Sequence, residues 1–81
     1  MDIKLFSKPV CMQCIATKRE LERCGINFTE VDLTKDAGAL EKVSALGYMQ
    51  APVVVAGEDH WSGFRPEKIS ALAAENLELV G

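Results

Sequence analysis

The sequence has 81 residues, of which 48% are apolar and 26% are charged. This is a globular composition, and the length predicts one domain over residues 1–81, because a second hydrophobic core would not fit. The 9 Lys and Arg residues against 12 Asp and Glu residues give a net charge of −3, and the basic residues are scattered among acidic ones, so no nucleic-acid partner is expected.

The first half of the chain predicts strands and helices in alternation. Residues 2–6 favour a strand, and residues 11–23 contain neither Gly nor Pro and favour a helix that stops at Gly25. The segment from 28 to 31 continues as a second strand. Asp36 predicts the N-cap of a second helix, because its side chain can accept from the free backbone N–H groups of a first turn. The apolar residues expected on the inner face of that helix are Leu40, Val43 and Leu46.

The second half predicts a β-hairpin and a last helix. Three consecutive valines at 53–55 form the strongest β-preferring run, and a turn at 57–59 leads into a strand at 60–62. Pro66 suits the first position of the last helix. Its apolar residues follow at helical spacing: Ile69, Leu72, Ala73 and Leu77. The order βαβαββα predicts an α/β fold with a four-stranded mixed sheet flanked by three helices.

The number of cysteines and the character of the first residues indicate in which cellular compartment the protein is expected. Three cysteines are an odd number, which does not suit the disulfide framework of a secreted protein. The first residues lack the apolar core of a signal peptide, and no later segment approaches the roughly 18 apolar residues of a membrane span. We therefore expect a cytoplasmic protein with no membrane partner.

Cys11 and Cys14 form a C-x-x-C pattern at the predicted start of the first helix, which is typical of a redox-active pair. At helical geometry the two side chains lie about 60° apart around the axis and about 4.5 Å apart along it, close enough for a disulfide. The free N–H groups and positive dipole of a helix start favour a thiolate. We expect Cys11 to face outward and attack a disulfide, Cys14 to resolve the intermediate, and Lys8 to support the thiolate.

A zinc site is the alternative use of the pair, with Cys24 and His60 as the remaining ligands. Cys14 and Cys24 would lie about 15 Å apart along one helix, whereas two ligands of one zinc ion lie roughly 4 Å apart. We therefore predict no metal site in this chain. Cys24 is interpreted as a buried apolar residue and His60 as a surface or cross-strand residue.

Two further segments carry functional expectations. Residues 61–66 combine Trp, Phe and Arg at a turn into a helix, and such residues are favoured anchors for a protein partner. Pro52 begins a strand, where the residue type leaves the peptide isomer open. The residues expected to contact a partner or substrate are Met12, Gln13, Ala51, Pro52, Trp61, Ser62, Gly63, Phe64 and Arg65.

The C-x-x-C pair, the Ala-Pro step at 51–52 and the complete W-S-G-F-R-P run at 61–66 together resemble the glutaredoxin-like NrdH redoxins over essentially the full chain. The resemblance implies a thioredoxin/glutaredoxin fold, a cis bond before Pro52 and redox roles for Cys11 and Cys14. It also implies electrons from thioredoxin reductase, which uses NADPH, and delivery to the large subunit of class Ib ribonucleotide reductase. No bound cofactor is required, since the thiols carry the electrons. We expect a monomer.

Two other functions stay open. A glutathione-dependent glutaredoxin would need an acidic partner for the ammonium group of glutathione, and typical glutaredoxins resemble one another in a Gly-Gly and Asp motif after the last strand. This sequence has Phe64 and Arg65 there, so glutathione should be a poor reductant. The other possibility is a non-catalytic module in which Cys11 and Cys14 hold a metal or cluster between two chains.

Overall fold

The computed structural model describes residues 2–80, with side chains described through residue 75. The strands and helices follow the predicted order. They are β1 (Ile3–Ser7), α1 (Met12–Arg23), β2 (Thr29–Asp32), α2 (Ala37–Ala45), β3 (Val53–Ala56), β4 (Asp59–Ser62) and α3 (Pro66–Val80). Within this described part of the chain, no helix has the length and apolar character needed to cross a bilayer.

The four strands form one mixed sheet in the order β2-β1-β3-β4. β1 pairs in parallel with β2 and antiparallel with β3, and β3 forms a hairpin with β4. The predicted α/β fold with a four-stranded mixed sheet and three helices is therefore confirmed. β1 is paired with a neighbouring strand on both sides and leads directly into the loop before α1. The first turn of α1 therefore follows a strand that is hydrogen-bonded along both edges.

Most predicted element ends are correct to within a residue. Asp36 caps α2, and its Oδ1 accepts a hydrogen bond from the Ala39 N–H at 3.0 Å. The first strand was predicted at 2–6 but extends through Ser7, because Ser7 still pairs with Asp32 of the neighbouring strand.

The inner face of α2 differs from the prediction. Ala39 and Val43 are buried, whereas Leu40 is 51% exposed. A helix of nine residues against one sheet buries only a narrow stripe, and Leu40 lies beside that stripe. The predicted inner position of Leu77 on α3 lies outside the described side chains.

The core is divided between the two faces of the sheet because side chains alternate along each strand. Phe6 points to the α2 face, where it packs with Ala39, Val43 and Val53. The opposite face packs against α1 and α3. Its buried cluster comprises Ile3, Leu5, Leu21, Ile26, Val54, Ala56, Trp61, Ile69 and Leu72. This larger cluster fixes α1, and therefore the cysteine pair, on the sheet.

Replacing Leu21 by Ala should reduce the free energy of unfolding by about 2–5 kcal/mol, because Leu21 is fully buried and the change leaves a cavity. Leu40→Ala is the matched control and should change the same free energy by no more than about 0.5 kcal/mol, since that side chain is half exposed. Urea unfolding of the oxidised proteins measures both values. Equal losses would contradict the assignment of the α1 face to the core.

Candidate active site

Cys11 and Cys14 are joined by a disulfide, with their Cα atoms 5.2 Å apart. Cys11 is the N-cap of α1 and has an extended backbone, with φ −130° and ψ 106°, and Cys14 lies in the first turn. The backbone N–H of Ile15 donates to the Cys11 carbonyl at 3.1 Å, which begins the helical hydrogen-bond pattern. The predicted position of the pair at the start of the first helix is therefore correct.

The Cys11 sulfur accepts a hydrogen bond from the Cys14 N–H at 3.2 Å. Together with the positive end of the α1 dipole, this donor stabilises negative charge on the Cys11 sulfur when the disulfide is reduced. Cys11 is 8% exposed and Cys14 is 4% exposed. The order of exposure agrees with the expectation that Cys11 faces outward more readily than Cys14, although both residues are buried.

Lys8 is exposed beside the loop that carries Cys11. It lines a cavity of about 300 Å³ together with Ser7, Pro9, Glu30 and Asp32. The hydrogen bond from the Lys18 ammonium holds the pKa of Glu30 below its ordinary value, and a bond from the Ser7 hydroxyl acts in the same direction. Glu30 is therefore an anion near this loop at neutral pH, so the environment of Lys8 is mixed in charge.

Three separate segments meet beside the disulfide. The Ala51–Pro52 peptide bond is cis, as the family resemblance implied. The Gly63 N–H donates to the Pro52 carbonyl at 2.8 Å, and the Phe64 N–H donates to the Oε1 of Gln13 at 3.2 Å. We call residues 50–52 the proline loop, and Gly63 and Phe64, which follow β4, the hairpin end. The hairpin end is thereby attached both to the proline loop and to Gln13, the residue preceding Cys14.

Trp61 does not lie where its predicted role requires. Its side chain is only 4% exposed, packs in the core on the α1 face and lies below the Lys68 ammonium at 5.9 Å. The burial of Trp61 does not suit the expected contact with a partner, since β4 directs the side chain inward. Ser62 and Gly63 are half-buried and Phe64 is 38% exposed, so Phe64 carries the apolar surface of this segment.

Arg65 is exposed, and its guanidinium is paired with a neighbouring carboxylate. Its Nε donates to Glu67 Oε1 at 3.0 Å, and this bond holds the pKa of Glu67 below its ordinary value. Glu67 is a carboxylate that was not identified from the sequence as a possible partner for the ammonium group of glutathione. The structure supplies a carboxylate near the start of α3, although that carboxylate is already bonded to Arg65.

Two exposed apolar residues in the loops that carry Cys11 and Pro52 were not identified from the sequence. Val10 immediately precedes Cys11 and is fully exposed at 101%, and Met49 precedes the proline loop and is 91% exposed. Met12, which was predicted, is 82% exposed. The available signal was the position of Val10 directly before Cys11 and of Met49 three residues before Pro52. We call Val10, Met12, Met49 and Phe64 the apolar rim.

A cavity of about 570 Å³ lies between α2 and the proline loop, with Lys8, Leu40, Tyr48, Met49 and Ala51 in its lining. Ala51 is half-buried there. Tyr48 is attached to the hairpin, since its hydroxyl lies 2.7 Å from Nδ1 of His60. His60 pairs with Val55 across the hairpin, so its interpretation as a cross-strand residue is correct.

Cys24 is the free cysteine of the chain and is only partly buried. It lies at the C-cap of α1, and its thiol is 3.8 Å from Glu20 and from Arg23. The prediction of a buried apolar residue is therefore only partly correct, because the helix end leaves one side open to these charged groups. Among the described residues, no group of three or more His, Cys, Asp or Glu side chains is arranged to hold a metal ion.

Comparison with known proteins agrees with this geometry. Residues 3–61 match the glutaredoxin family model. The chain belongs to the glutaredoxin family. The glutaredoxin-like protein NrdH of Escherichia coli K12 is 42% identical over 72 residues, which cover 89% of each chain. The protein of the same description from Lactococcus lactis subsp. cremoris is 35% identical over 71 residues, covering 88% of this chain and 99% of its own.

Solved structures show the same fold. The glutaredoxin-like NrdH-redoxin of Escherichia coli superposes with a TM-score of 0.85 at 42% identity, covering 89% of this chain and 95% of its own. A glutaredoxin from Archaeoglobus fulgidus gives a TM-score of 0.79 at 28% identity, covering 88% and 84%. The resemblance to the NrdH redoxins is confirmed, and this glutaredoxin is a thiol–disulfide oxidoreductase that carries the cysteine pair of its family.

Limiting iodoacetamide at neutral pH should label Cys11 of the reduced protein before Cys14. The reason is that the helix start stabilises the Cys11 thiolate and that Cys11 is the less buried of the two. Peptide mass spectrometry measures the order. The oxidised protein is the control and should be labelled at Cys24 alone, whereas equal or earlier labelling of Cys14 would contradict the assignment.

Proposed function

We propose that this glutaredoxin is an electron carrier that accepts electrons from thioredoxin reductase and reduces protein disulfides, in particular those of the large subunit of class Ib ribonucleotide reductase. The observation that carries the proposal is the capped cysteine pair, whose first cysteine has the exposed apolar residues Val10 and Met12 directly on either side of it in the chain. The resemblance of this chain to the Escherichia coli NrdH-redoxin supports the proposal, since that protein is described as having a thioredoxin-like activity profile. We expect a cytoplasmic monomer.

The proposed reaction transfers two electrons in two exchange steps. In the reduced protein, the Cys11 thiolate attacks a substrate disulfide, which forms a mixed disulfide and releases one substrate thiolate. The Cys14 thiolate then attacks the Cys11 sulfur, so that the Cys11–Cys14 disulfide forms and the second substrate thiol is released. The deeper burial of Cys14 suits this role, because an incoming substrate meets Cys11 first.

The apolar rim supports a protein substrate rather than a small polar one. Val10 and Met12 flank Cys11 in sequence, and Phe64 is bonded through its backbone to Gln13 between the cysteines. Exposed apolar residues gain free energy when a partner surface removes them from water. Glutathione is a charged tripeptide and would leave most of this rim in water. The partner contacts of Ala51, Ser62 and Arg65 remain part of the same proposal, with Lys8 as support for the thiolate. The side chain of Pro52 is fully buried, so only its backbone is proposed to contact a partner.

Coupled oxidation of NADPH tests the electron source. Insulin should be reduced rapidly when the protein is supplied with thioredoxin reductase, and slowly with glutathione and glutathione reductase, because the Arg65 cation stands where a carboxylate for the glutathione ammonium group would be needed. Cys11→Ser should reduce the rate to that without the protein, and Cys14→Ser should accumulate the mixed disulfide at Cys11. Faster turnover with glutathione would reject the proposal in favour of a glutathione-dependent glutaredoxin.

The proposed client needs its own measurement. Turnover of class Ib ribonucleotide reductase should depend on the reduced protein and should stop with Cys11→Ser. If insulin is reduced through thioredoxin reductase while ribonucleotide reductase is not, the electron source stands and the client is wrong. Stoichiometric metal in the purified protein at neutral pH would instead favour the module in which the cysteines hold a metal between two chains.

A further inference from the structure

The side chain of Gln13 connects two parts of the chain that are 51 positions apart. Its Oε1 accepts a hydrogen bond from the Phe64 N–H at 3.2 Å. The same oxygen lies 3.3 Å from where a Cβ would stand on Gly63, which has φ +85°. This close approach requires a glycine, because a side chain there would be strained and would press on the Gln13 amide.

The backbone of Gln13 is fixed independently of this contact. The fully buried Thr17 donates its hydroxyl to the Gln13 carbonyl at 2.8 Å, within the first turns of α1. The amide group therefore extends from a rigid helix turn. Removing its Oε1 should free the Phe64 N–H without disturbing α1.

The hairpin end has a second attachment, from the Gly63 N–H to the Pro52 carbonyl at 2.8 Å. The bond to Pro52 thus fixes Gly63 to the proline loop, and the bond to Gln13 fixes Phe64 to the turn that carries the two cysteines. Phe64 is partly exposed at 38% and belongs to the apolar rim. The two bonds together fix the backbone that carries the Phe64 ring.

We propose that Gln13 is a positioning residue that holds Phe64 beside the disulfide, so that the apolar rim has a fixed shape when a protein substrate docks. This rests on the proposed function, in which the substrate is a protein disulfide. Gln13 then acts through Phe64 rather than by touching the substrate or the reacting sulfurs. Losing one hydrogen bond of this kind should raise KM for a protein substrate roughly two- to tenfold.

Gln13→Met tests the contact because Met has a similar length and lacks a strong acceptor, and Gln13→Glu is the conservative variant that retains an acceptor oxygen. Gln13 is exposed, so neither change disturbs the core. In the oxidised protein, hydrogen exchange of the Phe64 amide measured by NMR should become faster in Gln13→Met and stay slow in Gln13→Glu. Equal exchange in wild type and Gln13→Met would overturn the proposal.

Kinetics with insulin then tests the route through Phe64. Gln13→Met should raise KM more than it lowers kcat, and its loss with insulin should exceed its loss with the small disulfide 5,5′-dithiobis(2-nitrobenzoate). In a Phe64→Ala background, Gln13→Met should add little, because the group it positions is absent. Effects on KM that multiply in the double variant would overturn the proposal.

The two levels of failure are distinguishable. If the wild-type protein does not reduce insulin with thioredoxin reductase, the proposed function fails and the substrate-docking role of Gln13 fails with it. If insulin is reduced normally and the Phe64 amide exchanges rapidly in the wild type, the proposed function stands and the positioning role alone is overturned.

Discussion

The hydrogen bond from the Cys14 N–H to the Cys11 sulfur is the interaction on which this site depends. An N-cap side chain ordinarily uses oxygen to satisfy a free N–H of the first turn. Here the capping atom is the sulfur that forms the disulfide. The atom that helps to start α1 is therefore also the redox atom, so the local folding of the helix and the preparation of a thiolate have the same physical cause.

The first turn of α1 keeps its position because the buried face of the helix packs against the sheet. Cys14, Thr17 and Leu21 form its buried face, with the latter two completely inaccessible. At the far side of the helix, Lys18 binds Glu30 of β2 at 3.0 Å, but a pair this exposed contributes little stability. Apolar burial against the sheet therefore supplies most of the rigidity, and the sulfur chemistry occurs at the end of a well-packed element.

Local signals in the sequence were sufficient for the fold and for the cysteine pair. Asp36 as a cap, Pro66 at a helix start and the valine run each act within a few residues, so their patterns could be recognised directly. The burial of Trp61 follows from the hairpin register, in which Trp61 pairs with the buried Val54. The alternation of side chains along β4 was the local signal for this burial. The Gln13–Phe64 bond had no such signal, because it joins residues that only the tertiary fold brings together.

The loop before Cys11 shows how the apolar rim arises from the fold. The chain must turn from the end of β1 to the extended N-cap conformation of Cys11 within residues 8–11, and Val10 takes φ +53° to achieve this. That conformation costs a β-branched residue about 1–3 kcal/mol, whereas a glycine would adopt it freely. Its side chain gains nothing from the core, since it is fully exposed. The packed elements at both ends of the loop offset this cost in the free protein. A partner surface that covers Val10 would add free energy by removing its side chain from water, and the proposed docking of a protein disulfide provides such a surface.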